Sequence, residues 1–398
     1  MSASSAGWRT VRFDRIAHNI AERVEPAQAD TDIYVGLEHL DPDSLRLNRW
    51  GTPSDVEGTK LRFYPGDIIF GRRRAYQRKL AVAEFEGICS AHAMVLRAKP
   101  DVCLPEFLPF FLQSDRFFER AMAISVGSLS PTINWKTLAV QEFPLPPLNE
   151  QRRITEILWA AEEAISCDEA VLSSAQKLRA SLLEKWFDPS SSVLEEGVNL
   201  RPLSQVLQYV SDGPFGSKLK TEHYATDGAR VVRLQNIGNG AFLDEDKAYI
   251  SHEYYSEMAR YALRPGDVIV AGLGDETHPV GRACQVPRDL GPAINKADCF
   301  CLRSDTSMVG LDYLLHFLNS PFAQMQVQQK AQGTTRLRVN VANLKTIHIP
   351  VLSLERQAAI CQTLAQVEAV LQSAGSKAEQ SRNLALKLRE RLLRADRD

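Results

Sequence analysis

Six polar or cationic side chains, Arg72, Arg73, Arg74, Gln77, Arg78 and Lys79, fall on one short stretch with Tyr76 among them. Residues of this type on one connection are suited to contact with phosphate, the sequence-independent part of nucleic-acid binding. The competing reading is a solvated hairpin tip. Other combinations are thinner. Asp212 with Glu245, Asp246 and Lys247 supplies the acids and the lysine of a metal-dependent nuclease, although such triplets arise by chance. Cys89 and His92 stand three apart in what reads as a strand, which points them to opposite faces and away from a nucleophile–base dyad. Cys299 and Cys301 share a strand face and read as core residues. The sequence has no G-x-x-x-x-G-K-[ST] loop, and Gly272 and Gly274 lack the third glycine of a dinucleotide fingerprint. It also has no Asn-Pro-Pro-aromatic tetrad of the amino-methyltransferase kind. Catalysis and cofactor chemistry by this chain are therefore not expected.

The basic stretch needs strands to hold it. Pro65, Gly66 and Asp67 read as a turn, Ile68 to Phe70 as a strand entering the core and Leu80 to Phe85 as the return strand. Tyr34 to Leu40 (YVGLEHL) and Ala91 to Arg97 read as further strands. Pro105 to Ser125 reads as aromatic-rich helix, and GSLSPTINW from Gly127 as a polar loop. The second half repeats this order. VVRLQNI from Val231 follows YVGLEHL, RPGDVIV from Arg264 follows YPGDIIF, LDYLLHFLNS from Leu311 follows PEFLPFFLQS, and GTTRLRVNVANL from Gly333 follows GSLSPTINWKTL. The loops diverge: AGLGDETHPVGR stands where the first half has Gly71 to Lys79, and the offset grows from 200 to 206 residues. A shared scaffold with different loops suits two readers of two different sequences. On that reading Arg336 and Arg338 touch bases or their flanking phosphates, with Ser128 and Asn134 in the equivalent place of the first half.

Each half ends in a long helical pattern. Residues 143–187 return as 349–393, so that Gln151 meets Gln357, Ile154 meets Ile360 and Leu158 meets Leu364. A period of this length marks two copies of a domain plus helix, since solenoid units run to only about 20 to 50 residues. Steps of three and four define a seam through Ile154, Leu158, Ile165, Leu172 and Leu182, continuing to Trp186, with Asp168 and Arg179 as polar interruptions. The second seam runs through Ile360, Leu364, Leu371 and Leu388, with Ser381 as its interruption and small residues in its middle third. At about 1.5 Å per residue, a run of roughly 39 residues reaches close to 60 Å, the length of a spacer. Two unrelated helices, each packed on its own domain, would leave the repeat unexplained.

Composition adds bounds. With 398 residues, 44% apolar and 24% charged, the chain has room for two or three domains. Seven cysteines without a C-x-x-C fit a reduced, cytoplasmic protein. The opening MSASSAGWRTVRF lacks the apolar core of a signal peptide, and no run approaches 18 apolar residues, so no membrane segment is expected. A net charge of -2 means that any DNA contact is local or shared with partners.

These marks resemble the specificity subunit of type I restriction-modification enzymes over nearly the whole chain. They are PLPPLNEQRRI, its second copy PVLSLERQAAI, the Pro-Gly-Asp turns, and SDGPFGSKLK at Ser211 to Lys220, which adds Lys218 and Lys220 to the DNA-binding set. The resemblance implies an α+β fold in which two similar mixed α/β target recognition domains are separated by two long helices paired as an antiparallel coiled coil, a pseudo-twofold internal repeat. The corresponding segments are 1–148 and 189–352 for the domains, and 149–188 and 353–398 for the helices. It also implies a subunit without an active site that reads a bipartite target in double-stranded DNA. Its partners would be two methyltransferase subunits and restriction (translocase) subunits, with S-adenosylmethionine, ATP and Mg belonging to those partners. One departure is Arg356 and Ala358 in place of Glu150 and Arg152, so the two helices need not hold a methyltransferase equally. Readings from other classes are a coiled-coil scaffold that binds only proteins and a self-sufficient endonuclease.

Overall fold

The structure, a computed structural model, describes residues 7–42, 44–191 and 198–394. Residues 1–6 of the stretch read for a leader, residues 192–197 in the expected second domain and residues 395–398 of the expected second helix lie outside the described residues. The chain divides into two compact units, 1–169 with 376–398, and 170–375.

In the first unit a four-stranded antiparallel sheet has the spatial order Ala17–Ile20, Ala93–Ala98, Ile68–Gly71, Leu80–Val82. The second unit repeats it as Leu207–Ser211, Cys299–Ser304, Val268–Ala271, Ala283–Gln285. The central strands are apolar on both faces because both faces are covered. Ile68 and Phe70 enter one core cluster with Phe13, Phe111, Phe117 and Phe143, while Ile69 enters another with Val35, Phe63 and Val95. Val268 and Val270 are separated from Ile269 and Ala271 in the same way.

A smaller sheet in each unit contains one parallel pair, Tyr34–Val35 with Gly87–Cys89 and Ala229–Val232 with Ala293–Asn295. The strand expected over Tyr34 to Leu40 is thus cut to its first two residues. Leu37–His39 is a 3-10 turn, because the His39 side chain accepts the Gly36 N–H at 3.0 Å. The second unit copies the device, with Asn236 accepting from Arg233 at 2.9 Å. Two other strands shift: the return strand ends at Val82, and the next one runs Ala93–Ala98. The six extra residues of the second half do not all enter one loop. Ile69 faces Ala81 and Ile269 faces Cys284, so three lie in the hairpin and three in the connection beyond it.

The strands Glu142–Leu145 and His348–Val351 lead into the helices Leu148–Phe187 and Leu354–Leu393, each of 40 residues. The helices pack together antiparallel. In the first unit Ile154 and Leu158 from the start of one share a core with Leu388, Leu392 and Leu393 from the end of the other. In the second unit Leu183 and Phe187 share a core with Ile360 and Leu364. Here the expected seam is corrected: Leu183 and Phe187 are the buried residues, while Leu182 and Trp186 are only partly covered, because this end of the helix faces its domain core. Ile165, Leu172 and Leu371 are half-buried, and Ala374, Ala378 and Ala385 are buried, as close helix approach requires. The polar interruptions find partners across the pair. Asp168 accepts from Ser381 at 2.7 Å and from Lys377 at 3.0 Å, and Arg179 lies 3.4 Å from Glu368. Among the described residues no helix is long and apolar enough to cross a membrane.

Candidate nucleic-acid interface

The Pro-Gly-Asp turns do more than reverse the chain. Asp67 is fully buried and accepts from Arg97 Nε at 2.7 Å, Arg97 Nη2 at 2.9 Å and the Tyr64 N–H at 2.9 Å. Asp267 accepts from Arg303 at 2.7 and 2.8 Å and from the Arg264 N–H at 2.7 Å. A buried carboxylate is tolerated only when paired and hydrogen-bonded, and each is. The two-point pair fixes one end of the strand whose other end leads into the divergent loop. Arg97 and Arg303 were not singled out in the sequence, although they stand at the 206-residue offset.

In the first unit the basic stretch is held closed by the Gly71 N–H to Lys79 carbonyl bond of 2.8 Å. Inside it, Arg74 and Arg78 take left-handed φ values of 55° and 52°, flanking the 3-10 turn Ala75–Gln77. The six side chains then separate. Arg72 donates to the Ala91 carbonyl at 3.1 Å and Lys79 to the Leu37 carbonyl at 2.9 Å. Arg78 pairs with Asp115 at 2.6 Å and lies over the Phe118 ring at 4.9 Å. These three are tied into the scaffold. Arg73 and Arg74 are exposed, and Gln77 is half-buried beside exposed Tyr76.

The polar loop expected after Gly127 joins this stretch. The Ile133 N–H donates to the Arg72 carbonyl at 2.9 Å, and Arg73 bridges Thr132. Val126 and Thr132 close a tight hairpin with bonds of 3.0 and 2.9 Å. In the second unit Gln332 and Arg338 close the same hairpin at 2.9 and 2.8 Å, Leu273 pairs Arg338, and the Val339 N–H donates to the Gly272 carbonyl at 2.9 Å. Gly127 and Gly333 open the two hairpins at φ of 107° and 111°, where a side chain would be strained, and a Cβ on Gly333 would also strike the Arg336 carbonyl. Each unit therefore presents one composite edge made of two loops far apart in sequence.

Some sequence equivalences change. The counterparts of Arg336 and Arg338 are Ser130 and Thr132, since the two hairpins superpose at the 206-residue offset. Ser128 is exposed near the hairpin tip, whereas Asn134 sits at the N-cap of Trp135–Ala139, matching Asn340, whose side chain caps its own helix at 2.8 Å. Arg336 is exposed, and Arg338 pairs with Asp298 at 2.7 Å. Lys218 and Lys220 are exposed, with Lys220 beside Glu222 at 3.5 Å. Their segment is anchored further back. Asp212 Oδ1 accepts the N–H groups of Gly213 at 2.7 Å and Asp298 at 3.0 Å, and burial raises its carboxyl to about 6.

The groups considered for catalysis are placed otherwise. Asp246 bonds Arg233, and its carbonyl accepts from Arg230 and Asn236, away from the contacts of Asp212. Cys89 ends a buried strand, where burial drives its thiol up and out of the reactive range, and His92 lies in the following turn. The expectation that they share a strand is thereby corrected. His92 instead meets Arg73 at 3.2 Å, and burial together with Arg73 and Arg72 lowers its pKa. Cys299 and Cys301 are core residues of the second unit.

Residues 54–172 match the family model described as type I restriction modification DNA specificity domain. The type I restriction enzyme EcoDI specificity subunit of Escherichia coli is 27% identical over 235 residues, 58% of this chain and about half (52%) of that relative. The MjaVIII specificity subunit of Methanocaldococcus jannaschii is 21% identical over 97% of this chain and 92% of its own. The crystal structure of a type I restriction-modification S subunit from M. genitalium matches with a TM-score of 0.60 at 14% identity, covering 100% of this chain and 99% of that one. That structural likeness concerns the fold.

Proposed function

We propose that this chain is a specificity subunit of the type I restriction-modification family, to which its sequence is similar, and that it selects the DNA sequence on which such a complex acts. One observation carries this reading: the two units build the same composite edge from the same pair of loops, yet arm it with different side chains. Two edges of one design with unlike residues suit a bipartite, asymmetric target, one domain per half-site, approached through the major groove. Phosphate contacts supply affinity and base contacts supply selection.

Catalysis belongs to partners in this reading. Two methyltransferase subunits, bringing S-adenosylmethionine, bind along the paired helices, and restriction subunits, bringing ATP and Mg, join that assembly. The chain itself transfers no methyl group and cuts no DNA. The test is methylome sequencing of a host with and without this gene, together with methylation assays on the purified chain with and without methyltransferase subunits. The expected result is adenine-N6 methylation at one bipartite motif that needs both gene products. Methyl transfer or metal-dependent nicking by the chain alone overturns the proposal in favour of an enzyme. Absence of salt-dependent DNA binding after the methyltransferase is added favours a protein-binding scaffold.

A further inference from the structure

The turn before the strand Ala93–Ala98 and the turn before Cys299–Ser304 are equivalent places in the two units. His92 occupies the first and Asp298 the second, 206 residues apart. Nothing about these side chains is alike, yet each holds an exposed arginine of its own composite edge. Arg73 Nη1 meets His92 Nε2 at 3.2 Å, and Arg338 Nη2 donates to Asp298 Oδ1 at 2.7 Å. The arginines come from opposite strands of the same small bridge. In the first unit Arg73 faces Thr132, and in the second Leu273 faces Arg338. By the offsets of 200 and 206 residues, Arg73 corresponds to Leu273 and Thr132 to Arg338. The arginine has changed strands while its holder has kept its place.

A surface ion pair such as Arg338 with Asp298, or a surface hydrogen bond such as Arg73 with His92, usually adds little stability, so stability is a weak reason for this recurrence. The backbone points further. Asp298 sits at φ 64°, a conformation unusual for a residue other than glycine, and is fixed there by Asp212 on its N–H and by the Gly272 N–H on its carbonyl at 2.7 Å. Its carboxylate is thereby aimed from a rigid base. An arginine is a donor only, so His92 Nε2 must accept from Arg73, which requires the neutral ring protonated on Nδ1. Burial, and after it the nearby cations Arg73 and Arg72, favour that neutral form.

We propose that Arg73 and Arg338 are the base-reading arginines of the two half-sites, each directed at a guanine, and that His92 and Asp298 are the positioning residues that fix them. An arginine with one N–H engaged retains donors for guanine O6 and N7, and holding it in one rotamer favours a base edge over a mobile phosphate contact. This inference rests on the specificity-subunit reading above and deepens it.

The test is selection from a randomised duplex DNA library by the full chain assembled with its methyltransferase subunits. Asp298→Gly removes the carboxylate and accepts the left-handed backbone, while Asp298→Asn keeps an acceptor oxygen. Asp298→Gly is expected to lose discrimination at one G·C pair of one half-site by about tenfold or more. Asp298→Asn keeps most of it, and His92→Ala relaxes one G·C pair in the other half-site. A loss of affinity that is uniform over all sequences overturns the inference, as does relaxation by both variants in the same half-site. A wild-type complex that selects a bipartite sequence, with Asp298→Gly and His92→Ala selecting the same one, overturns the inference alone. A wild-type complex that selects no sequence overturns the specificity-subunit reading and this inference with it.

Discussion

Gln151 and Gln357 stand 206 residues apart and make the same three hydrogen bonds. Gln151 accepts from the Leu104 N–H at 2.8 Å and donates to the carbonyls of Val102 and Pro146, both at 2.9 Å. Gln357 accepts from the Gly310 N–H at 2.9 Å and donates to Met308 at 2.8 Å and Leu352 at 2.9 Å. Both are buried, so each joins its helix to its domain by satisfying backbone groups that water does not reach.

Replacing either glutamine by leucine keeps the volume and orphans three backbone groups. A cost of about 2 kcal/mol or more is expected for each variant. Thermal melting of the full chain checks it. An unchanged melting temperature in Gln151→Leu would show that the joint is held by apolar contacts alone.

The buried carboxylates set a graded pair of stabilities. The Arg303 side chain is 17% exposed and that of Arg97 is 46% exposed, so water can replace Arg97 at Asp67 more readily than Arg303 at Asp267. Arg303→Met should therefore destabilise its unit by on the order of 3 kcal/mol, because a buried charge is left unpaired. Arg97→Met should cost less. Chemical denaturation of both variants orders them, and the reverse order would refute the argument from exposure.

Arg74 and Arg78 are neighbours in sequence with different expected effects. Arg74 is exposed, and Arg74→Ala should lower the slope of log binding constant against log salt by about one. Arg78 is bound to Asp115 and the Phe118 ring, so Arg78→Ala should lower stability by about 1 kcal/mol, with a smaller change in salt slope. Salt titrations of DNA binding by the assembled complex, with melting curves as the control, separate the two.

Asp212 gives the pH dependence. Burial raises its carboxyl from 3.8 to about 6. For a group raised on folding, the stabilising contribution is complete below the unfolded value and disappears as pH rises through the folded value. Asp212→Asn keeps the acceptor for the two backbone N–H groups and removes the charge. Its melting temperature relative to wild type should climb between about pH 4 and 6 and level off above that range. A difference that is flat with pH would mean that the carboxyl ionises as freely in the folded chain as in the unfolded one.

What was legible in the sequence was the repeat and everything that follows from periodicity. Side-chain spacing reports which face of a helix or strand is apolar, so the two 40-residue helices and the buried strands around Ile69 and Ile269 could be read from one chain. The repeat, with an offset that grows from 200 to 206 residues, also carried the shared scaffold. Even the polar breaks in the helical seam were visible, although their meeting, Asp168 with Ser381, was not.

Tertiary structure decided which polar groups act together. A pairing such as Asp67 with Arg97, or Arg338 with Asp298, joins residues 30 and 40 positions apart through sheet register, and no local spacing records it. The same reason divides the basic stretch, where six similar residues looked equivalent until Ala91, Leu37 and Asp115 claimed Arg72, Lys79 and Arg78. Hydrophobic pattern is written along the chain because burial acts on each residue by type. Hydrogen-bond partnership depends on direction and distance, and those exist only once the strands have paired.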